Sequence, residues 1–345
     1  MGYYDDFIFR FATKRDTDLI MAFLKKEWGE NHILANNKEF FLWQYGNDAY
    51  GDTESLNVFL MTDRGDNILG INGFIPYSNN RDNLYVSSAI TKVKSDIGIP
   101  LIGVELIKRY KKAVGAKAYY SSGTNLKTMI PLAKRYFGYS TGIMQQFYIL
   151  NKEKSVFHVA KVLEKKRNNF LTHNLTLKSV LFSDLERKFD FQTTYENQGY
   201  KSADFIRHRY FEHPIYRYQV WAIEKPESER YQGVVIGREI VVNHTKILRI
   251  VDYLGNIMNL GKLGQALEEL MHFQGYEYID LVAGSLPEEI MRDSGFLLLN
   301  RDGSNIIPMY FEPFVQENVE IWYQKSDENI VIFKADGDQD RPNKW

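Results

Sequence analysis

The sequence contains no cysteine, and this absence excludes several kinds of protein. Without thiols the chain forms no disulfide, holds no iron–sulfur cluster or thiolate zinc site, and uses no cysteine nucleophile. Histidine is scarce as well, with 7 residues, and none stands in an HExxH motif or in a close pair with metal-ligand spacing. We therefore expect no resident metal.

Long apolar runs and an excess of charge of one sign are also missing. No apolar run reaches the ~20 residues that span a bilayer, so we expect no membrane insertion. Lys plus Arg is 43 and Asp plus Glu is 44, so the net charge is −1. The chain thus has no excess of positive charge that would attract nucleic acid. The first residues, Met1 to Asp6, lack the basic and apolar segments of a signal peptide. These features favour a cytoplasmic protein that binds no nucleic acid.

The chain is long and apolar enough for two folded units. It has 345 residues, of which 44% are hydrophobic, whereas a single core rarely exceeds ~250–300 residues. We predict a first domain over residues 1–150, a linker with a connecting helix over 151–188, a second domain over 189–315, and a C-terminal strand and tail over 316–345. Within the linker, the charged segment Lys161–Lys166 is predicted to be helical.

The predicted elements follow the same order in both halves. In each half, three strands are followed by a helix, a strand and a further helix. The predicted strands are Asn57–Thr62, Ile68–Pro76 and Tyr85–Val93 in the first half, and Tyr218–Glu224, Gly233–Val241 and Ile247–Tyr253 in the second. Gly138 corresponds to Gly295, and a strand over Ile143–Leu150 closes the first half. We infer a tandem repeat of an α/β layered domain with a mixed central sheet and flanking helices.

The segment from Val93 to Gly103 resembles the loop motif of the GCN5-related N-acetyltransferase (GNAT) family. In that motif a strand ending in Val leads through Arg/Gln-x-x-Gly-x-Gly/Ala into a helix, and Gly98 and Leu101 depart from it here. Because N–H groups at a helix start favour an anion, the resemblance implies that the acyl-CoA pyrophosphate binds in the first half. The second half has a poorer match, Asn259–Gly264. The implied cofactor-binding residues are Val93, Lys94, Gly98, Ile99, Leu101, Ile102, Gly103 and Asn125.

A narrower likeness concerns the substrate. The segments Trp28–Leu34, Phe40–Tyr45 and Leu69–Pro76 and the tail Phe333–Asn343 resemble tandem-GNAT acyltransferases of bacterial surface-polysaccharide biosynthesis. This resemblance implies an acyl-CoA-dependent N-acyltransferase that acts on a nucleotide-linked amino sugar. The amine would attack the thioester directly, with no covalent enzyme intermediate. A backbone N–H near Val93 or Lys94 would stabilise the oxyanion.

His32 is the predicted catalytic residue, a general base for the acceptor amine. Histidine titrates near neutral pH, and in this fold the loop after the first helix faces the acceptor. The competing interpretation is a loop cap. The predicted substrate-binding residues come from both halves: Trp43, Arg209, His213, Asp252 and Tyr253. For Asp252, a structural cap of the following turn is the competing interpretation.

The tail has an alternating acidic pattern. Asp336, Asp338 and Asp340 are spaced as in part of a calcium loop, but no later Glu completes that pattern. We expect a solvated tail, with Arg341 folding back over a ligand as the alternative. Two other functions stay open: a non-catalytic module that binds a sugar nucleotide or a protein, and an aminoacyl-tRNA-dependent transferase. The sequence leaves the oligomeric state open.

Overall fold

The computed structural model describes residues 6–337 and 340–342. The predictions that concern Met1–Asp5, Asp338 and Asn343 lie outside these residues. In the described part of the chain, helices flank two large mixed sheets, which confirms the predicted α/β fold class.

The first sheet contains most of the strands predicted for the first half. Over the described residues it has eight strands, in the order β1-β3-β4-β5-β6-β17-β7, with β2 beside β3. These strands are β1 (Ile8–Thr13), β2 (Gly46–Asn47), β3 (Asp52–Thr62), β4 (Ile68–Pro76), β5 (Tyr85–Val93), β6 (Ala118–Ser122), β7 (Ser140–Ile143) and β17 (Trp322–Lys325). The β5–β6 pair is parallel and the others are antiparallel.

The second sheet repeats this arrangement. Its strands, eight among the described residues, have the order β14-β8-β13-β12-β11-β10-β9, with β18 beside β13. They are β8 (Gln145–Leu150), β9 (Thr176–Ser179), β10 (Tyr218–Glu224), β11 (Gly233–Val242), β12 (Thr245–Gly255), β13 (Tyr278–Gly284), β14 (Leu297–Leu298) and β18 (Ile332–Phe333). Again a single pair, β12–β13, is parallel. A separate small hairpin consists of β15 (Tyr310–Phe311) and β16 (Phe314–Val315).

The two sheets exchange strands. The strand predicted over Ile143–Leu150 divides at Met144: β7 stays at the edge of the first sheet, and β8 pairs with β13 in the second. In return, β17 comes from the C-terminal region and lies between β6 and β7. The sheets therefore do not divide the chain at single positions, and the predicted boundaries at residues 150, 188 and 315 stay a prediction.

Helices flank the two sheets in the described part of the chain. They are α1 (Thr17–Glu27), α2 (Ile33–Asn36), α3 (Lys38–Tyr45), α4 (Ile102–Val114), α5 (Met129–Leu132), α6 (Phe182–Lys188), α7 (Ala203–Ile206), α8 (Gly264–Gln274) and α9 (Glu288–Asp293). Helices α5 and α7 each continue into a π-helical turn, Ala133–Phe137 and Arg207–Phe211. No helix in the described ranges is both long and apolar enough to cross a bilayer.

The helix predicted over Lys161–Lys166 is wrong. Lys161 forms an isolated β-bridge with Ile306, and the N–H groups of Leu163 and Glu164 both donate to the side-chain oxygen of Asn305 at 2.9 Å. These partners hold the segment in a non-helical conformation, so contacts from far along the chain override its local helix propensity.

Each parallel pair separates after a few residues and leaves a wedge-shaped opening. Strands β5 and β6 pair only at 85–87 and 118–120, and β12 and β13 pair only at 248–250 and 279–281. We call the gap beyond the β5–β6 pairing the first opening and the gap beyond the β12–β13 pairing the second opening. Both lie toward the carboxyl ends of their strands, a position where α/β sheets bind ligands.

The tail fills the second opening. Strand β18 pairs with β13, the N–H of Lys334 donates to Val282 O at 3.0 Å, and the N–H of Ala335 donates to Val251 O at 3.0 Å. The tail thus bonds to both separated strands and satisfies backbone groups that the separation would leave unpaired.

Candidate active site

A cavity of about 500 Å³ occupies the first opening. Its wall is mainly polar and includes Ser88, Thr91, Lys92, Ser121, Thr124 and Gln324. Strand β5 has a bulge here, because Gly73 pairs with Ile90 and Phe74 with Ser88, which leaves Ala89 as the extra residue. A bulge leaves its extra residue outside the strand ladder, and bulges are common beside active sites.

The loop after β5 leads into an uncovered helix start, as the GNAT resemblance implied. Gly98 has φ of 65°, and Leu101, the N-cap of α4, has φ of 59°. A Cβ at Gly98 would meet nothing within 4 Å, and a Cβ at Gly103 would meet only Val93, at 3.6 Å. Because the first N–H groups of an α-helix have no partner within the helix, this start can receive an anionic group.

The corresponding helix start in the second half is covered. A Cβ at Gly264, the first residue of α8, would lie 2.5 Å from Cγ of Phe170 in the linker segment. Leu260 and Gly261, which precede it, are buried. These residues cover the start of α8, and the tail occupies the second opening.

The predicted cofactor-binding residues other than Asn125 lie on the segment from the end of β5 into α4. From Val93 to Gly103 the chain runs continuously from the end of β5 into α4, and Asn125 lines the same cavity as Lys92. The Asn125 side-chain oxygen accepts the N–H groups of Lys127 at 2.9 Å and Thr128 at 3.0 Å, so it shapes the entry to α5. The side chains of Ile102 and Ile99 pack into the first half, Ile102 fully buried and Ile99 partly buried, which leaves their backbone for any ligand contact.

His32 lies beside the cavity and caps a short helix. Its Nδ1 accepts the N–H of Leu34 at 3.3 Å, and Nη2 of Arg341 lies 3.1 Å from its Nε2. Trp28, whose ring centroid is 5.7 Å from that of His32, and Arg341 both line the cavity. Burial, together with the Arg341 charge, lowers the pKa of His32 to about 4. The imidazole is therefore neutral at pH 7.

Donors approach both nitrogens of the His32 ring, the Leu34 N–H at Nδ1 and the Arg341 guanidinium at Nε2. A neutral imidazole has one N–H and one lone pair, so the ring accepts from one of these donors at a time. The contact to Leu34 is the loop cap that was the competing interpretation. A general base at Nε2 requires the tautomer that carries its proton on Nδ1, in which the Leu34 bond is given up.

Trp43, Arg209 and His213 meet at the junction of the two halves. The ring centroids of Trp43 and His213 are 4.3 Å apart, and the Arg209 guanidinium lies 5.7 Å from the Trp43 ring. His213 and Arg209 are buried, and burial lowers the pKa of His213 to about 3. Nδ1 of His213 accepts the N–H of Tyr216 at 2.9 Å. The structure thus brings these predicted residues together, inside the junction rather than on the cavity wall.

Asp252 and Tyr253 lie in the interior of the second half. Both are 0% exposed. The Asp252 carboxylate accepts Lys201 Nζ at 2.6 Å and the Tyr210 hydroxyl at 2.5 Å, and the Tyr253 hydroxyl donates to Asn256 O at 2.7 Å. Neither side chain faces the cavity.

The tail is buried, which contradicts the expected solvated tail. Asp336 and Asp340 are 4% and 1% exposed. Asp336 accepts Lys201 Nζ at 2.7 Å, so Lys201 joins the tail to Asp252. Beyond it, Gly337 has φ of 153° and crosses the narrow end of the first opening, where a Cβ would lie 2.9 Å from Oγ of Ser122.

Asp340 and Arg341 complete the site, although neither is among the predicted catalytic, cofactor-binding or substrate-binding residues. The Asp340 carboxylate accepts the Tyr218 hydroxyl at 2.7 Å and Arg238 Nη2 at 3.1 Å. The nearby cations, with Arg238 the largest contributor, hold the pKa of Asp340 well below its ordinary value, although burial opposes them. Arg341 follows and reaches the cavity wall, as the alternative of a tail folded back had anticipated. The available sequence signal was the acidic alternation that ends in Arg341-Pro342.

Solved structures share this architecture. A GCN5-related N-acetyltransferase from Anabaena variabilis aligns over 92% of this chain and 72% of its own, with a TM-score of 0.54 and 10% identity. A protein of unknown function from Enterococcus faecalis, described as a probable N-acyltransferase, aligns over 92% of this chain and 71% of its own, with a TM-score of 0.51 and 11% identity. No protein-family model and no curated protein matches the sequence. The chain thus has a GNAT-like fold with two sheets, and at this identity the similarity establishes the fold alone.

Proposed function

We propose that this protein is an acyl-CoA-dependent N-acyltransferase. Two observations carry the proposal together within a GNAT-like fold: the cavity in the first opening, which Lys92 of β5 lines, and the uncovered start of α4, to which the chain leads from β5. The helix start suits the pyrophosphate of the donor, and the gap between β5 and β6 suits its thioester. The covered start of α8 and the filled second opening support a donor site in the first half.

The proposed reaction is direct aminolysis of the thioester. The amine nitrogen forms a bond to the carbonyl carbon, the carbon–sulfur bond breaks, and the proton lost by the amine ends on the released CoA thiol. We assign the oxyanion donor to the N–H at the Ala89 bulge. The sequence analysis predicted a backbone N–H near Val93 or Lys94 for this role, and we prefer Ala89 because the N–H of Lys94 donates to Leu69 O at 2.9 Å.

A nucleotide-linked amino sugar is the proposed acceptor, with a role in surface-polysaccharide biosynthesis and a cytoplasmic location. The hydroxyl-rich wall formed by Ser88, Thr91, Ser121 and Thr124 suits a sugar, and the sequence likeness points to the same class. His32 is proposed as the acceptor-side residue, with its role as general base to be decided by a pH profile. Trp43, Arg209, His213, Asp252 and Tyr253 would support the acceptor site indirectly, through the junction and the tail.

Calorimetric titration with acetyl-CoA and longer acyl-CoAs tests the proposal. We expect binding to the wild-type protein and its loss in Gly103→Glu, because a carboxylate at the helix start repels the pyrophosphate. Gly103→Ala is the matched control, since its Cβ meets only Val93 at 3.6 Å and adds no charge. Equal binding by Gly103→Glu and the wild type would contradict the donor site. Absence of any acyl-CoA binding to the wild type would favour the non-catalytic binding module.

A further inference from the structure

Gln324 of β17 lies in the wall of the cavity with an unpaired amide oxygen. Its side chain lines the first opening, and the residue is 7% exposed. Among the described residues, no hydrogen-bond partner lies within reach of its Oε1. A buried polar atom without a partner costs stability, and folded proteins keep few of them. A ligand in the cavity that donates to this oxygen would remove that cost.

The neighbouring strands do not supply the missing donor. Gln324 pairs with Ser121 of β6 on one side and with Thr141 of β7 on the other, so the three side chains share one face of the sheet. The Thr141 hydroxyl is buried and also lacks a partner within the described part of the chain. Ser121 lines the cavity together with Gln324. Because the terminal torsion of a glutamine side chain is soft, a small rotation presents its oxygen to a ligand there.

Contacts on the other face of β17 hold the backbone of Gln324. Successive side chains of a strand point to opposite faces, so Tyr323 and Lys325 point away from Gln324. Nζ of Lys325 donates to Ser285 Oγ and to two backbone carbonyls of the following loop, each at 2.7 Å. The Tyr323 hydroxyl lies 2.9 Å from the same Ser285 Oγ. Less conformational freedom is therefore lost when a ligand binds to Gln324.

The position of β17 indicates which part of a substrate Gln324 contacts. The proposed thioester site is in the gap between β5 and β6, beside the Ala89 bulge. Strand β17 lies on the other side of β6, and neighbouring strands are ~4.8 Å apart. Gln324 therefore lies one strand away from the reacting atoms and meets a group next to the amine. The amide and the hydroxyls of the wall both donate and accept, as sugar hydroxyls do.

We propose that Gln324 binds a hydroxyl group next to the amine of the acceptor, and thereby selects amino sugars over amines without hydroxyls. Gln324 is then a specificity-determining residue, which a strand from the C-terminal region contributes to a cavity of the first sheet. The inference rests on the proposed acyltransferase function in calling this ligand an acceptor. Hydroxyl binding needs no acyl donor, so the two proposals fail separately.

Titration without acyl-CoA, followed by ligand-detected NMR, tests the assignment with glucosamine, galactosamine and cyclohexylamine. The two amino sugars carry hydroxyls around a six-membered ring, whereas cyclohexylamine carries none. We expect at least one amino sugar to bind the wild type more tightly than cyclohexylamine does. Gln324→Met keeps the length of the side chain and removes the amide. It should weaken the binding of that sugar roughly 10-fold and leave the binding of cyclohexylamine unchanged.

Urea unfolding distinguishes a binding role of Gln324 from a structural one. A buried amide oxygen without a partner does not stabilise the fold, so Gln324→Met should have a free energy of unfolding at least as high as the wild type. Gln146 of β8 is the contrasting case: it is 0% exposed, its Nε2 donates to Asp280 at 2.9 Å, and Gln146→Met should lower stability. Gln265→Met, which removes an exposed hydrogen bond to Glu269, should leave sugar binding unchanged.

Four results would overturn the proposal. Neither amino sugar binds the wild type more tightly than cyclohexylamine, Gln324→Met binds the sugar as the wild type does, its weaker binding accompanies a loss of stability, or it loses acyl-CoA binding as well. A failure of the proposed function looks different, because acyl-CoA then fails to bind the wild type in its own titration.

Discussion

Replacing Lys201 by methionine tests whether the buried ion cluster holds the tail in the second opening. Nζ of Lys201 lies 2.6 Å from Oδ1 of Asp252 and 2.7 Å from Oδ1 of Asp336, and the exposed fractions of the three side chains are 6%, 0% and 5%. Methionine has a similar length and no charge, so the change removes the ammonium with little loss of packing. Two buried carboxylates are then left without their shared cation.

The expected loss of stability follows from these contacts. Removing one partner of a buried ion pair typically destabilises a protein by about 3–5 kcal/mol. Hydrogen bonds that survive reduce this loss, because Asp252 keeps the Tyr210 hydroxyl and Asp336 keeps the N–H of Phe333 at 2.7 Å. We therefore expect a decrease of about 3 kcal/mol in the free energy of unfolding at pH 7.

The loss should also depend on pH. Burial raises the pKa of Asp336 to about 6, and Asp252 adds to this effect. Without the ammonium, Asp336 takes up a proton still more readily than in the wild type. Because the folded variant then binds this proton more tightly than the unfolded chain, its stability rises as the pH falls from about 7 toward 4. The deficit relative to the wild type should therefore be smaller at pH 5 than at pH 7.

Urea unfolding followed by circular dichroism and tryptophan fluorescence measures both effects. Lys178→Met is the control, since Lys178 and Glu224 form an exposed pair and its loss should change stability by less than about 0.5 kcal/mol. Lys201→Met with Asp336→Asn should be more stable than Lys201→Met, because one uncompensated carboxylate is gone. A Lys201→Met protein within about 1 kcal/mol of the wild type at pH 7 would refute the reasoning.

Two further changes test other contacts. Hydrogen bonds from Arg10 lower the pKa of Asp16 to about 2, so their stabilisation is present above pH ~4 and lost as the pH falls toward 2. In urea unfolding, Asp16→Asn should lower the free energy of unfolding by about 1 kcal/mol at pH 7 and by less near pH 2. An equal decrease at the two pH values would contradict the stabilising role of the Arg10–Asp16 pair. Gly337→Val should displace the tail, because φ of 153° disfavours a side chain and Ser122 lies beside it. Urea unfolding should show a lower free energy of unfolding than in the wild type, and an unchanged value would contradict the close packing of the tail there; Gly29→Val, where a Cβ meets nothing within 4 Å, is the control.

Residues that are neighbours along the chain determined most of the secondary structure. Apolar side chains recur at helical spacing in α1, where Ile20, Phe23 and Leu24 are buried. Gly138, with φ of 65°, ends the π-helical turn in the left-handed conformation that glycine adopts most readily. Such features depend on backbone geometry and on contacts within one or two helical turns, so they can be predicted directly from the sequence.

The pairing of strands was decided by the tertiary structure. Nothing in the pattern of Ile143–Leu150 indicates that β7 and β8 belong to different sheets, since the sequence predicts one continuous strand there. The place of β17 between β6 and β7 depends on backbone groups from residues far apart in sequence. Strand partners are selected by such long-range hydrogen bonds and by the side chains buried on each face.

The candidate site, too, could be predicted from the sequence only in part. The path from Val93 to Gly103 is continuous in sequence, and its motif could be found there. The burial of Asp336 and Asp340 could not be predicted from the sequence, because an isolated acidic side chain prefers water. Each becomes stable inside the protein only when the fold brings Lys201 or Arg238 within hydrogen-bond distance. Those ion pairs hold the tail and place Arg341 beside His32, so only the tertiary structure could show that this end of the chain belongs to the site.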